Sequence, residues 1–113
     1  MSGFGRQERI RRHAEFQQIY KKGARVRSRY STIFIQPNAL AIGRLGIAAT
    51  KKLGGAVQRN RAKRLIREVF RRNKLAAGYD VIVIPTREWL DASLTVLEAD
   101  YRNLLERRLG HRR

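Results

Sequence analysis

Apolar residues near the middle of the chain recur at intervals of three and four positions. The members of this series are Ala62, Leu65, Ile66, Val69 and Phe70. Such spacing places side chains along one stripe of an α-helix, while the residues between them occupy its other sides. The pattern therefore predicts a helix over residues 56–73 with one buried side.

A shorter helical pattern lies near the amino terminus. Phe16, Ile19 and Tyr20 are three and four positions apart, and Gly23 follows them as a residue type that commonly ends helices. We therefore predict a helix over about residues 14–22. By spacing alone its aromatic side chains are expected in the core rather than at a binding surface.

The segment after this helix alternates between apolar and polar residues and then becomes apolar. Over residues 24–36 the pattern predicts one long, bent strand or two short ones, ending at Pro37. Alternation along an extended strand places Tyr30, Thr32 and Phe34 on the same face. That face either packs against a helix or remains open to a ligand.

Two further strands and a last helix complete the predicted order. Small apolar residues over 45–50 and a continuous apolar run over 81–84 predict strands, the second of them central in a sheet. Asp91 is expected to cap the last helix, in which leucines at helical spacing form a buried stripe.

The predicted elements follow the order helix, strands, helix, strand, helix. They indicate an α+β fold, an α/β sandwich with a mixed sheet covered by helices, in a single domain over residues 1–113. Residues 1–8 show no apolar period, and we expect a flexible basic arm there. Residues 109–113 are expected to fray.

Charge changes the interpretation of the central helix. The chain carries 26 Lys and Arg against nine Asp and Glu, a formal net charge of +17, and residues 51–74 hold ten of the cations beside one acid, Glu68. A merely solvated face usually alternates in sign so that acids pair with bases. We interpret the segment as a phosphate-facing surface of a nucleic-acid-binding protein.

Composition also bears on location. No apolar run approaches the roughly 18 to 20 residues that span a bilayer, and the amino-terminal segment lacks the apolar core of a signal peptide. Cysteine is absent, which removes disulfides and thiolate metal sites and suits a reducing compartment. We expect a cytoplasmic protein with no membrane partner.

Groups that could catalyse a reaction are scarce. His13 lies in a basic segment and His111 in the expected tail, and neither has a carboxylate at metal-ligand spacing. Most acids fall in the last third of the chain, where neighbouring arginines can pair with them. We therefore expect no catalytic residue and no metal site in the protein itself.

The central segment resembles a known family. Arg59-Asn60-Arg61, within GAVQRNRAKRLIREVFR and preceded by a short strand and two lysines, is similar to the RNR motif of the bacterial ribonuclease P protein subunit. The resemblance covers about residues 9–107. It implies a left-handed βαβ crossover, which the family shares with a domain of certain ribosomal proteins.

The resemblance also implies a function. In the family the RNA subunit carries the active site and its Mg²⁺ ions, while the protein helps to remove the 5′ leader of precursor tRNA, an endonucleolytic step in tRNA maturation. The expected partners are the catalytic RNA and precursor tRNA, with no further protein required. The alternatives are a stand-alone RNA-binding protein of the ribosomal type, without a role in tRNA processing, and a protein nuclease that would cleave without an RNA subunit.

Two sets of residues follow as expected binding sites. Asn60 would either bind RNA or fix the start of the helix. Residues expected to contact the catalytic RNA are Lys51, Lys52, Arg59, Asn60, Arg61, Lys63, Arg64, Arg67 and Arg71. Aromatic residues expected to line a cleft for the leader, by stacking on its bases, are Phe16, Tyr20, Tyr30 and Phe34.

Overall fold

A computed structural model describes residues 8–110 and contains, within that range, three α-helices and four strands. Residues 1–7 of the arm predicted over 1–8, and residues 111–113 of the tail predicted over 109–113, lie outside the described residues. The helices are α1 (His13–Lys22), α2 (Ala56–Arg72) and α3 (Leu94–Leu109). The strands are β1 (Ala24–Arg27), β2 (Ser31–Pro37), β3 (Arg44–Ile47) and β4 (Tyr79–Pro85). Short 3₁₀ turns occupy Lys51–Leu53 and Arg87–Asp91.

The four strands form one mixed sheet in the order β1-β2-β4-β3. β1 pairs with β2 and β2 with β4 in antiparallel fashion, whereas β3 and β4 are parallel. Parallel neighbours need a crossover connection, and α2 supplies it between β3 and β4. The predicted α+β fold with a mixed sheet is confirmed, and the hand of the crossover stays a prediction.

Side-chain alternation divides the sheet into two covered faces. Ile33 and Val83 are fully buried in the larger core, which α2 and α3 complete. Ile82 lies between Val81 and Val83 in β4 but points to the opposite face of the sheet. There it packs with Ile19 of α1 in a smaller core. Because successive side chains of a strand point to opposite faces, β2 and β4 contribute side chains to both cores. We call the side that α1 covers the α1 face.

The predicted segment 24–36 forms two short strands, because the chain reverses at Ser28. The Ser28 hydroxyl accepts hydrogen bonds from the backbone N–H of Tyr30 (3.1 Å) and of Ser31 (3.3 Å). Tyr30 therefore precedes β2 and packs against the larger core, whereas Phe34 belongs to the smaller one. The predicted common face of Tyr30 and Phe34 was wrong, since alternation applies only within a continuous strand.

The start of α3 also differs from the prediction. Ser93 caps the helix, its hydroxyl oxygen accepting the Val96 N–H at 3.2 Å, while Asp91 ends the preceding 3₁₀ turn. That turn buries Trp89, which anchors it in the larger core. At the other end, α3 includes Leu109, which was expected to fray. The strand predicted over 45–50 ends at Ile47.

Candidate nucleic-acid interface

The amino-terminal end of α2 is held by its own side chains. The Gln58 side-chain oxygen accepts the Gly55 N–H at 3.1 Å, and the Arg59 guanidinium donates to the Gly54 carbonyl at 3.2 Å. Gly54 has φ of 147°, a conformation that favours glycine and lets the chain turn into the helix. The start of α2 is therefore fixed without Asn60, which is exposed and has no side-chain hydrogen bond to the described residues.

Packing of α2 determines which side faces outward. Ala62, Ile66, Val69 and Phe70 are each at most 3% exposed in the larger core. The polar side of the helix and the 3₁₀ turn before it carry the expected basic residues, and we call this the basic surface. Exposed members of the expected set are Lys51, Lys52, Asn60, Arg61 and Arg64, and half-buried members are Arg59, Lys63, Arg67 and Arg71.

One member of this set already has an acidic partner. Arg71 donates to the Glu68 carboxylate at 2.5 Å, and Arg72 lies 3.6 Å from the same carboxylate. The hydrogen bond from Arg71 lowers the pKa of Glu68 and raises the pKa of Arg71. Arg72 also contacts Glu98 of α3 at 2.5 Å. The positive charge of the basic surface is thus partly neutralised at the carboxy-terminal end of α2. The described residues show no such ion pair at its amino-terminal end.

The chain before α1 adds to this surface in a way the sequence analysis did not predict. Ile10 is buried, and its N–H donates to the Leu45 carbonyl at 2.9 Å, so residues 9–11 lie along β3. A cavity of about 200 Å³ opens beside them, and its basic lining residues are Arg9, Arg11, Lys63 and Arg67. The only sequence signal was one isoleucine between cationic residues.

A separate aromatic cluster lies on the α1 face. The Phe16 and Tyr20 rings have centroids 6.2 Å apart, and those of Tyr20 and Phe34 are 5.0 Å apart, both in edge-to-face arrangement. All three side chains are half-buried, so part of each ring is accessible. Burial raises the pKa of Tyr20, which keeps its hydroxyl neutral. Three of the four expected cleft residues are therefore together.

Tyr30 is not part of this cluster. It packs against the larger core on the opposite side of the sheet, with the Arg29 guanidinium 5.8 Å from its ring centroid. Its surroundings form a different cavity, which also includes the acids Glu88 and Asp91. The structure therefore separates Tyr30 from the other aromatic candidates.

An ion-pair network fixes α1 over the sheet. The Arg44 guanidinium binds both oxygens of Asp80, at 2.9 and 2.7 Å, and reaches Glu15 of α1 at 3.2 Å. Asn38 donates to the same buried Asp80 carboxylate at 2.9 Å. The Asp80 hydrogen bond, with Glu15, raises the pKa of Arg44. These contacts hold α1 at the β3 and β4 side of the sheet.

The described residues form neither a metal-ligand cluster nor a membrane-spanning helix. Within residues 8–110, no cluster of three or more His, Asp or Glu side chains could hold a metal ion. Over the same range, none of the helices combines the length and hydropathy needed to cross a membrane. The two candidate surfaces among the described residues are the basic side of α2 and the aromatic α1 face.

Comparison with known sequences gives a consistent assignment. A family model described as Ribonuclease P matches residues 4–109. The ribonuclease P protein component of Clostridioides difficile (strain 630) is 34% identical over 107 residues, covering 92% of this chain and 94% of that protein. That of Thermotoga maritima is 40% identical over 87 residues, covering 75% of this chain and 74% of that protein.

Solved structures agree with the sequences. The RNase P protein from Thermotoga maritima superimposes with a TM-score of 0.80 at 34% identity, over 88% of this chain and 96% of that chain. The RNase P protein of Staphylococcus aureus gives a TM-score of 0.77 at 38% identity, over 88% of this chain and 93% of that chain. The residues of both candidate surfaces lie within the range 4–109 that the family model matches.

Proposed function

The chain belongs to the ribonuclease P protein family, and we propose that it binds two RNAs in the ribonucleoprotein, the catalytic RNA through α2 and the 5′ leader of precursor tRNA through the α1 face. As a protein subunit of ribonuclease P it takes part in tRNA processing. The observation that carries the assignment of surfaces is their placement on separate layers of the fold, one basic and one aromatic.

The basic side of α2 suits the backbone of a folded RNA. Cations that lack acidic partners attract phosphates and release condensed counterions, a contribution that does not depend on sequence. Arg61 and Arg64 are exposed, and neither forms an ion pair with Glu68, which contacts Arg71 and Arg72. The cavity lined in part by Lys63 and Arg67 extends this basic surface towards β3. We assign this surface to the catalytic RNA.

The aromatic cluster suits a single strand of variable sequence. Every base has a π-face, so stacking on Phe16, Tyr20 or Phe34 would accept leaders that differ between precursors. The rings are half-buried, which holds them in position while leaving part of each accessible. We leave Tyr30 out of this site, because it packs on the opposite side of the sheet.

Chemistry is proposed to reside in the RNA subunit. Hydrolysis of a phosphodiester by a protein site would need positioned carboxylates or histidines, and the described residues offer no such cluster for Mg²⁺. Magnesium would accordingly be bound by the RNA. The protein would lower the repulsion between two polyanions and hold the leader, and this activity would take place in the cytoplasm.

Cleavage of a 5′-extended precursor tRNA at low Mg²⁺ concentration tests the proposal. Three reactions are compared, containing this protein, a bacterial ribonuclease P RNA, or both. We expect cleavage only in the mixture, because the protein offsets phosphate repulsion that Mg²⁺ would otherwise have to screen. Cleavage by the protein alone would contradict the assignment of the active site to the RNA. Absence of stimulation by a folded protein would favour a ribosomal-type RNA-binding protein.

A further inference from the structure

β1 places two arginines on the α1 face of the sheet. Its residues alternate, so that Ala24 and Val26 pack against the larger core while Arg25 and Arg27 are exposed. In the antiparallel register Arg25 lies opposite Phe34, and Arg27 lies opposite Thr32. Residues paired across two strands project to the same face. Arg25 is therefore the direct neighbour of an aromatic residue of the proposed leader site.

The two guanidinium groups are available for a ligand. β1 is an edge strand, and α1 packs over β2 and β4 rather than over β1. Among the described residues, neither side chain has a hydrogen bond or an ion pair. Glu15 and Asp80, which lie towards the other edge of this face, are already bound by Arg44. Nothing described on this face neutralises the pair.

We propose that Arg25 and Arg27 form a phosphate-binding rim of the leader site and contact successive phosphates of the bound single strand. The proposal rests on the function proposed above. Residues two apart on a strand are separated by about 7 Å, a distance comparable to that between neighbouring phosphates of an extended strand. Each guanidinium can donate two parallel hydrogen bonds to a phosphate.

The position of the rim favours the leader over the catalytic RNA as its ligand. The basic side of α2 belongs to the layer that covers the larger core, whereas Arg25 shares its face with Phe34. In sequence-independent binding of single strands, bases stack on aromatic rings while a basic groove follows the backbone. Rings and cations occur here side by side in that arrangement. A leader that stacks on Phe34 would bring its phosphates towards β1.

The test compares two charge-matched double variants in the reconstituted holoenzyme. Arg25→Gln with Arg27→Gln removes the rim, and Arg87→Gln with Arg108→Gln removes two exposed arginines from elements packed on the opposite face. Dissociation constants are measured for precursor tRNAs with long and with very short leaders, for mature tRNA, and for the catalytic RNA. Thermal unfolding of each free variant verifies that it is folded.

We expect the rim variant to bind the long-leader precursor about tenfold more weakly, since two charge-assisted hydrogen-bonding groups are lost. Its affinity for mature tRNA and for the catalytic RNA should remain that of the unmodified protein. The slope of log affinity against log salt for the long-leader precursor should fall by about 1.4, the value for two phosphates of a single strand. The control variant should change none of these quantities.

Other results would overturn the proposal. An equal loss in the control variant would show a general effect of net charge, and a loss independent of leader length would exclude a leader contact. Weaker binding to the catalytic RNA alone would assign the arginines to that RNA. If the unmodified holoenzyme binds long-leader and short-leader precursors equally well, the proposed function itself is contradicted. If the unmodified holoenzyme prefers long leaders and the rim variant keeps that preference, only the proposal for Arg25 and Arg27 is contradicted.

Discussion

The ring of Phe16 lies directly on the backbone of Gly46. A Cβ atom built on Gly46 would come within 2.8 Å of the Phe16 Cζ atom, closer than side chains approach one another. Gly46 is buried in β3, and Phe16 belongs to α1, so this contact sets how closely the helix approaches the sheet. The absence of a side chain at one position thereby shapes the aromatic cluster.

Replacing Gly46 with alanine should therefore displace Phe16 and destabilise the protein. Overpacking of a core commonly costs about 1 to 3 kcal/mol of unfolding free energy. Urea denaturation measures the loss. If the ring is its cause, the same substitution in a Phe16→Leu background should cost clearly less, and equal costs in the two backgrounds would contradict the explanation.

The neighbouring Arg44 should contribute strongly to stability. Replacing Arg44 with methionine leaves the Asp80 carboxylate, 5% exposed, without its bidentate partner. Removing one member of a buried ion pair typically costs about 3 to 5 kcal/mol, and the remaining hydrogen bond from Asn38 places the expected loss near the lower value. Denaturant unfolding provides the measurement.

A matched control separates the two partners of Arg44. Glu15 is 34% exposed at its side chain, and an ion pair that exposed contributes less than about 1 kcal/mol. Glu15→Gln should accordingly have a small effect on unfolding. If its effect equalled that of Arg44→Met, the contact with α1 rather than the buried carboxylate would dominate.

Two arginines of α2 test the surface assigned to the catalytic RNA. Arg64→Gln with Arg67→Gln should weaken binding to this RNA and reduce the log-log salt slope by at most about two, if each side chain contacts one phosphate. The measurement is a titration of the RNA at several salt concentrations. The Arg87→Gln, Arg108→Gln protein serves as control, and an unchanged slope would remove Arg64 and Arg67 from the interface.

Phe34 tests the proposed leader site from its aromatic side. Phe34→Ala should weaken binding of precursor tRNA to the holoenzyme by about 1 to 3 kcal/mol, the contribution of one stacked base, and leave mature tRNA unaffected. Dissociation constants for the two RNAs give the answer. Equal weakening of both would contradict a leader contact at Phe34.

Tyr30 provides the comparison for that experiment. It is an aromatic residue at a similar level of burial, but it lies against the larger core. Tyr30→Ala should lower the free energy of unfolding without any preference for precursor over mature tRNA. If Tyr30→Ala weakened binding of precursor tRNA but not of mature tRNA, Tyr30 would have to be counted among the leader-binding residues.

Much of the fold could be predicted because its signals are local. The apolar stripe of α2 predicted that Ala62, Ile66 and Val69 would be buried, and all three are. A helical period and a run of cations are properties of neighbouring residues, so both can be recognised without knowledge of the tertiary structure. The split of segment 24–36 into two strands was one of two predicted alternatives, and the Ser28 turn decides between them.

Other features depend on residues far apart in the chain. Periodicity gave no sign that Ile10 would lie along β3, that Arg44 would join Glu15 to Asp80, or that Arg25 would pair with Phe34. Pairing between strands is set by register and by competition among all faces that can be buried together. Strand pairing therefore depends on the whole chain and cannot be deduced from local patterns.

The basic amphipathic helix, the α+β order of elements and the resemblance to a family are all recognisable in the amino-acid sequence. Which aromatic residues contact one another depends on the tertiary structure. Phe16, Tyr20 and Phe34 share the α1 face, while the turn at Ser28 moves Tyr30 to the other core. The physical reason is that alternation assigns faces only along an unbroken strand. The turn that the Ser28 hydroxyl stabilises interrupts the segment before β2, so Tyr30 does not follow the alternation of β2.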